Sequence, residues 1–370
     1  MKGISILVTA YKAEEYIEEC LDSIEKQTYF RNNTNWEVLL GIDGCLTTLK
    51  KVEEIRHKYR NLKVYMMVSN KGTYVTSNTL IELANPKFDY NLRFDSDDVL
   101  FSKGIEIIMS EIENNDFLSF RHSDYNTFVA SAFYVYGQAF YHKRLLNKLG
   151  GYHPLRCSSD ADFRNRVKKA KCTIKYIDSC IYRRRKLTNS LFHNPETGVK
   201  SNYRNGCRKY FKDREEQLYV PIVVNNYYNV DEIKDKFYKY HGYELNLSNP
   251  TSFNEKMWFR KFHQHDNIIS KLTDKVEVKR FATQLGLDFL NIPYSIYDNI
   301  DDIDFSSLNR DVAIKTNHGC AWHFFYLKGK FYDSKYKEVS YNVVKEQINK
   351  WLTSTFSNDN NFKYAWGYTP

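Results

Sequence analysis

Three aspartates in four positions, Asp95, Asp97 and Asp98 of "YNLRFDSDDVLFSKG", follow directly on an apolar run. Carboxylates crowded on a short turn repel one another unless something positive is held between them, and Asp95 and Asp97 alternate so that both can face one cation. Hard carboxylate oxygens select Mg²⁺ or Mn²⁺. The plainer reading of the same residues is an acidic turn with a helix cap at Asp98.

The surrounding pattern says where these acids stand. "ISILVTAY" is a buried-strand run, and "KAEEYIEECLDSIEKQ" places Tyr16, Ile17, Cys20, Leu21 and Ile24 at helical spacing behind acidic residues. Strand-like "WEVLLGIDG", helical "LTTLKKVEEIRHKYR", strand-like "LKVYMMVS", helical "YVTSNTLIELAN" and strand-like "YNLRFDSDD" follow. Such alternation predicts an α/β fold, a mostly parallel sheet with helices on both faces. The ligand crevice of such a sheet lies beyond the carboxyl ends of its strands, where Asp43 and the three aspartates fall. A metal held there by a diphosphate would neutralise charge developing on a leaving nucleoside diphosphate.

The 370 residues suggest about two domains. With 42% hydrophobic and 27% charged residues, the chain is expected to fold. Seven cysteines form no CxxC pair and are odd in number, which indicates neither a zinc site nor a disulfide framework and favours a reducing cytosol. The apolar run near the N-terminus is too short for a signal peptide, and no stretch approaches the roughly 20 apolar residues of a spanning helix. The formal charge of +9 gathers in "RNRVKKAKCTIKY" and "YRRRKLTNS". Such patches suit nucleic acid, an anionic membrane surface or phosphorylated small molecules, or serve only as a solvated face.

Five blocks, "SILVTAYKAEEYIEECLDSIEKQTY", "LLGIDG", "VSNKGTYVTSN", "LRFDSDD" and "GGYHPLRCSSDADFRNRV", resemble in order the landmarks of the family 2 inverting glycosyltransferases of GT-A fold. The resemblance covers roughly residues 1–200. It implies a nucleotide-sugar donor, a divalent metal, Mn²⁺ or Mg²⁺, and inversion at the anomeric carbon. It assigns Thr9, Ala10 and Tyr11 to the nucleotide-binding first loop, Asp43 to the nucleobase, Asn70 and Gly72 to the donor loop, and Asp95, Ser96 and Asp97 to metal and ribose, with Asp98 as a stand-in metal ligand. Inverting transfer needs a base on the acceptor side. The family's acidic pair before a helix matches "SSDADF", which makes Asp160 the first choice and Asp162 the second, although Ser159 stands where relatives often carry Glu. The plainer reading is that Ser159 and Asp160 cap the helix "DFRNRVKKA". In "YRRRKLTNSLFHNPETG", Arg183, Arg184, Arg185 and Lys186 could clamp a pyrophosphate, and His193 could join the metal or serve as a structural hydrogen-bonder.

Beyond residue 200, "SNYRNGCRKYFKDREEQLY" reads as a basic helical connector over 201–235. From about 236, "FYKYHGYELNLSNPTSFNEKMWFRKF", "LTDKVEVKRFATQLG", "IPYSIYDNIDDIDFSSL" and "DVAIKTNHGCAW" resemble the ATP-grasp-like family named for teichuronopeptide biosynthesis. That resemblance puts Lys315 in the place of the nucleotide-phosphate lysine and Asn317, His318 and Gly319 in that of the phosphate loop. A complete domain of that family needs a further lobe carrying the Mg²⁺ ligands, which the sequence does not reach, so residues 236–370 read as a partial module, truncated or degenerate. A sugar-nucleotide nucleotidyltransferase shares the sheet and the metal aspartates, but would open with a Gly-rich loop that "TAYKAEEY" lacks. A nucleic-acid-binding protein would explain the charge, yet no module such as an RNA-recognition motif is present, and no nucleic acid is expected as a partner. The expected protein is a cytoplasmic glycosyltransferase moving a sugar from a UDP-sugar to a hydroxyl of a surface polysaccharide or capsule glycan, with peripheral contact at the inner face of the membrane through its basic patches.

Overall fold

The computed structural model describes residues 2–354 apart from 136, 189, 192, 264–266 and 288–294. It divides into two compact units, Met1–Phe262 and His263–Pro370. Residues 292–294 of the "IPYS" block and the terminal "KYAWGYTP" lie outside the described residues.

The first unit is built on the expected α/β frame. Strands β1 (Ile4–Ala10), β2 (Trp36–Ile42), β3 (Leu62–Met67) and β4 (Tyr90–Asp95) are parallel neighbours in the order β4-β1-β2-β3. Every residue of β1 is buried, which explains its unbroken apolar run. Helices α1 (Ile17–Glu25), α2 (Leu46–Ile55) and α3 (Thr73–Leu83) connect them. In α1 the residues Ile17, Cys20, Leu21 and Ile24 form the buried stripe that the spacing predicts.

Helix α3 is different, because Tyr74 through Ile81 are all buried. Its small polar residues mostly find partners inside: Ser77 donates to the Thr73 carbonyl, Thr79 to that of Val75, and Asn78 exchanges two hydrogen bonds with the Tyr152 backbone, both 2.8 Å. The Asn78 bonds fix the chain just ahead of the second acidic pair.

After β4 come β5 (Val99–Leu100), α4 (Gly104–Glu111), β6 (Phe117–Asp124), β7 (Ala139–His142), α5 (Arg144–Leu149), α6 (Ser159–Lys169) and β8 (Ile174–Arg184). Strand β7 runs antiparallel between β4 and β6, so β6 and its parallel neighbour β8 end on the same side as β4. The carboxyl ends of both halves of the sheet therefore share one crevice.

The sequence reading places a domain boundary near 200 and a connector to 235. In the structure, residues 201–262 belong to the first unit. Helix α7 (Asn202–Asp213) is followed by Val220, which bridges Gly150, and by β9 (Tyr227–Asn229), which pairs with β3. Helix α8 (Val230–His241) is tied back by Asp231 to Arg56 and by Lys234 to Glu53, and α9 (Phe253–His263) brings Phe262 against Tyr228. The physical reason is that these amphipathic segments have no apolar core of their own and complete the one already formed.

The second unit carries α10 (Asn267–Thr273), α11 (Glu277–Gln284) and an antiparallel sheet of β10 (Val312–Lys315), β11 (His323–Leu327), β12 (Lys330–Tyr332) and β13 (Glu338–Val339). Helix α12 (Tyr341–Leu352) contributes Val344 and Ile348 to a small core with Ile300 and Phe324.

Gly150 is a point of strain-free necessity. Its φ is +65°, and a Cβ there would lie 1.7 Å from the Val220 carbonyl oxygen. Gly150→Ala is expected to destabilise the first unit by about 3 kcal/mol or more through backbone strain and steric overlap together, read as a lower midpoint in denaturant. A midpoint equal to wild type would mean that the Gly150–Val220 bridge is dispensable.

Candidate active site

The end of the crevice beyond β2 is organised around Asp43. This buried carboxylate accepts from the backbone N–H of Lys71 through Oδ1 at 3.0 Å and of Gly72 through Oδ2 at 2.9 Å. Burial raises its pKa, while the two amides pull the other way. Asn70 Nδ2 bonds the Asp43 carbonyl at 3.2 Å, and Gly72, with φ +96°, turns the chain into α3. The expected donor-loop residues thus gather on the expected nucleobase residue. Asp43 does a structural task there, holding the loop shut against β2.

At the end of β1, Thr9 Oγ1 lies 2.8 Å from Thr73 Oγ1, and the Ala10 carbonyl accepts from Asp43 N at 2.8 Å. Tyr11 is half exposed, with the Lys12 ammonium 5.5 Å from its ring centre.

The three aspartates have three different environments. Asp95 Oδ1 pairs with Arg93 at 2.9 Å, and its Oδ2 accepts from Gln138 Nε2 at 3.2 Å. Asp98 is buried, with Oδ1 accepting from Arg185 N at 3.0 Å and Oδ2 from Gln138 at 2.7 Å. Burial, then the charges of Asp97 and Asp95, push its pKa well up. Asp97 is pushed up to about 6 by burial and by the Asp95 charge, against the pull of Arg184 and Arg185. Ser96 between them is buried.

Arg93 was passed over in the sequence, although a charge inside an otherwise apolar strand run is itself a signal that a partner is waiting. The buried guanidinium donates to Thr73 Oγ1 at 2.8 Å, Ser77 Oγ at 3.1 Å and the Gly137 carbonyl, besides pairing with Asp95. Tyr74 and Gln138 were passed over as well, and no spacing pattern marks them.

Asp160 and Asp162 part company. Asp160 stands in the first turn of α6, where Tyr74 Oη donates to its Oδ1 at 2.7 Å. Asp162 Oδ2 instead pairs with buried Arg166 at 2.7 Å and lies 3.7 Å from His153 Nε2. Arg166 in turn donates to the carbonyls of Leu149 and Gly151, each at 2.7 Å. Asp162 thus does not share the Tyr74 contact of Asp160: through Oδ2 it holds α6 to the preceding loop. Nor is the helix-cap reading of Ser159 met, since the cap residue is Ser158, whose side chain makes no cap bond.

The basic residues are less free than their run suggests. Arg164 and Arg166 are buried and bond carbonyl oxygens, which leaves Lys168, Lys169, Lys171 and Lys175 as the exposed cations of that stretch. Arg185 pairs with Glu19, and its guanidinium lies 3.7 Å from the Tyr125 ring centre, an arrangement that ties it down before any pyrophosphate arrives. His193 is exposed, with Nδ1 at 3.1 Å from Ser190 Oγ and 3.0 Å from the Leu187 carbonyl. Among the described residues no group of three or more His, Cys, Asp or Glu converges as a preformed metal cage.

In the second unit Lys315 ends β10, and the loop behind it turns its carbonyls inward: Lys275 Nζ bonds those of Thr316 at 2.9 Å and Asn317 at 3.1 Å, and that of Gly319. Carbonyls gathered on an ammonium suit a cation, where a phosphate would need N–H donors. His318 is buried and bonds the carbonyls of Trp351 and Ser354, a packing role.

A family model described as glycosyl transferase family 2 matches residues 5–191. Curated relatives include an uncharacterized glycosyltransferase of Haemophilus influenzae, 36% identical over 118 residues that cover 31% of this chain and 34% of the relative. The poly(ribitol-phosphate) beta-N-acetylglucosaminyltransferase TarS of Staphylococcus aureus is 35% identical over 102 residues, 27% of this chain and 17% of TarS. The UDP-Glc:alpha-D-GlcNAc-diphosphoundecaprenol beta-1,3-glucosyltransferase WfgD of Escherichia coli is 30% identical over 149 residues, 39% of this chain and 55% of that protein. The chain thus spans only part of the length of each relative. The crystal structure of S. aureus TarS 1–349 in complex with UDP-GlcNAc aligns at TM-score 0.47 and 17% identity, over 92% of this chain and 99% of that one.

The two acids should separate in a stability measurement. Asp162→Ala strands buried Arg166 and is expected to cost about 3 kcal/mol, whereas Asp160→Asn should leave the thermal midpoint within a degree or two of wild type. Equal midpoints for both variants would remove the structural role given to Asp162.

Proposed function

The chain belongs to glycosyl transferase family 2, and from that premise we propose that it moves a sugar from a UDP-sugar to a hydroxyl of a surface polysaccharide or capsule glycan, with inversion at the anomeric carbon. The observation that carries the reading is the position of Asp160. Its carboxylate and that of Asp95 flank Gly137: a Cβ at residue 137 would lie 3.7 Å from Asp95 Oδ2 and 3.8 Å from Asp160 Oδ2. One acid on the donor side and one across the gap is what in-line inverting displacement needs.

Asp160 takes the proton from the acceptor hydroxyl as its oxygen attacks the anomeric carbon. The bond to the nucleoside diphosphate breaks on the opposite face, toward Asp95 and Asp97. Asp43, through its grip on Lys71 and Gly72, keeps the donor loop in place while the base and ribose bind beside Thr9, Ala10 and Tyr11.

A divalent cation suits this site. Burial and then the charge of Asp95 hold the Asp97 carboxyl up, and Asp95 adds a second hard oxygen donor beside it. When bound there, Mn²⁺ or Mg²⁺ supplies positive charge against the leaving diphosphate. Asp98, buried where the Asp95 side chain is partly exposed, has less to offer such an ion, and His193 is assigned to its loop.

The UDP preference and the glycan acceptor draw on the relatives, whose names carry UDP-Glc, poly(ribitol-phosphate) and a diphosphoundecaprenol acceptor. Among the described residues no helix is long and apolar enough to cross a membrane. We assign the chain to the cytoplasmic face, with the exposed lysines of "RVKKAK" as its contact with anionic lipid. The ATP-grasp-like resemblance of the second unit is read as a scaffold without ATP turnover, because its loop carbonyls already enclose Lys275.

A panel of nucleotide sugars with Mn²⁺ and a glycan acceptor tests the reading. A UDP-sugar should be turned over, and Asp160→Asn should slow transfer by about 10²- to 10⁴-fold, the usual range for loss of a general base, with UDP affinity unchanged. Preference for a GDP-sugar would overturn the donor choice. Full turnover in excess EDTA would remove the cation from the mechanism.

A further inference from the structure

We infer that Tyr74 is a positioning residue of the transfer step, its phenol holding Asp160 by Oδ1 so that Oδ2 alone is left to take the acceptor proton. The inference rests on Asp160 being the base and adds which of its atoms works and what aims it.

A carboxylate has two equivalent oxygens and a soft terminal torsion, so a free one presents either atom in many directions. Here the symmetry is broken. Tyr74 Oη donates to Asp160 Oδ1 at 2.7 Å, while Oδ2 faces the space left by the missing side chain of Gly137. Asp95 Oδ2 borders the same space, so one oxygen from each carboxylate looks into a single gap.

Tyr74 is itself held firmly. It is buried in the first turn of α3, its ring lies 5.3 Å from the Arg93 guanidinium, and it packs on Tyr152 at 5.7 Å. Burial, then the charge of Asp160, keeps the phenol protonated and hence a donor. The residue next to it, Thr73, contacts both Thr9 and Arg93. The helix that closes the nucleotide half thus reaches across with its second residue to orient the base.

The direct test is a double-mutant cycle on the full chain, with a UDP-sugar and the acceptor that the panel above identifies. Tyr74→Phe keeps the ring and its packing and removes one donor. It should lower kcat by roughly 10- to 100-fold, the scale of a misaligned reacting group, and leave KM for the UDP-sugar within about twofold. In an Asp160→Asn background the same change should have almost no further effect, because groups that act as one unit are not additive.

Multiplicative losses in the double variant would overturn the inference and make Tyr74 a packing residue. A raised KM with unchanged kcat would overturn it in favour of donor binding. Full activity of Asp160→Asn alone would sink the base assignment and this inference together, whereas a crippled Asp160→Asn beside a fully active Tyr74→Phe sinks only the latter. Gly137→Ala gives a reading that does not depend on residue 74. Its methyl would enter the gap between the two Oδ2 atoms, so kcat should drop at unchanged UDP affinity, and an unaltered kcat would show that the gap is not where reaction occurs.

Discussion

A single buried guanidinium, that of Arg93, sets the geometry on which the rest depends. A charge in the interior of a sheet costs several kcal/mol unless it is paired and its donors are satisfied. Arg93 meets that demand by pairing with Asp95 and donating to Thr73, Ser77 and the Gly137 carbonyl. Those partners come from strand β4, helix α3 and the segment entering β7. If any one of them moved, the arginine would be left with an unsatisfied donor, so the end of β4, helix α3 and the segment entering β7 hold a common register. The same residue neutralises Asp95, which lets Asp97 and Asp98 crowd next to it with less repulsion.

Three other clusters follow a similar logic at lower stakes. Asp43 draws two backbone amides of the donor loop onto one carboxylate, and Gln138 serves Asp95 and Asp98 with one amide group. Glu19 gathers Arg185, Arg183 and the Tyr125 hydroxyl at the end of β8. In each case carboxylates and donors from distant parts of the chain converge, and the loops around the crevice acquire a fixed shape before any ligand is present.

What could be read from the sequence was whatever periodicity and strand ends encode. The alternating elements, the mostly parallel sheet and the placement of Asp43 and Asp95 at carboxyl ends follow from local patterns, and the structure has them. The separation of Asp160 from Asp162 was also legible in principle, since residues two apart on a helix point about 200° away from each other and cannot serve the same cleft. That Arg164 and Arg166 are internal was less accessible, because a basic run looks alike whether its side chains meet water or carbonyls. Tyr74, Gly137 and Gln138 had no local signal at all. Their roles arise from contacts between residues dozens of positions apart, which only the fold brings together. Where residues 201–262 pack was illegible for a related reason: a helix with an apolar stripe does not say whose core it will join.

The long sheet ends at both sides in very short strands, β5 with two residues and β9 with three. A sheet margin with unpaired N–H and C=O groups is a template for another chain, and brief terminal strands are a way of blunting it. Strand β9 comes from beyond the stretch that the family model matches. A catalytic piece trimmed to that stretch would bare β3 along its outer side, and with it a surface inclined to pair with other copies. Solubility of the transferase is therefore carried in part by residues that take no part in its chemistry.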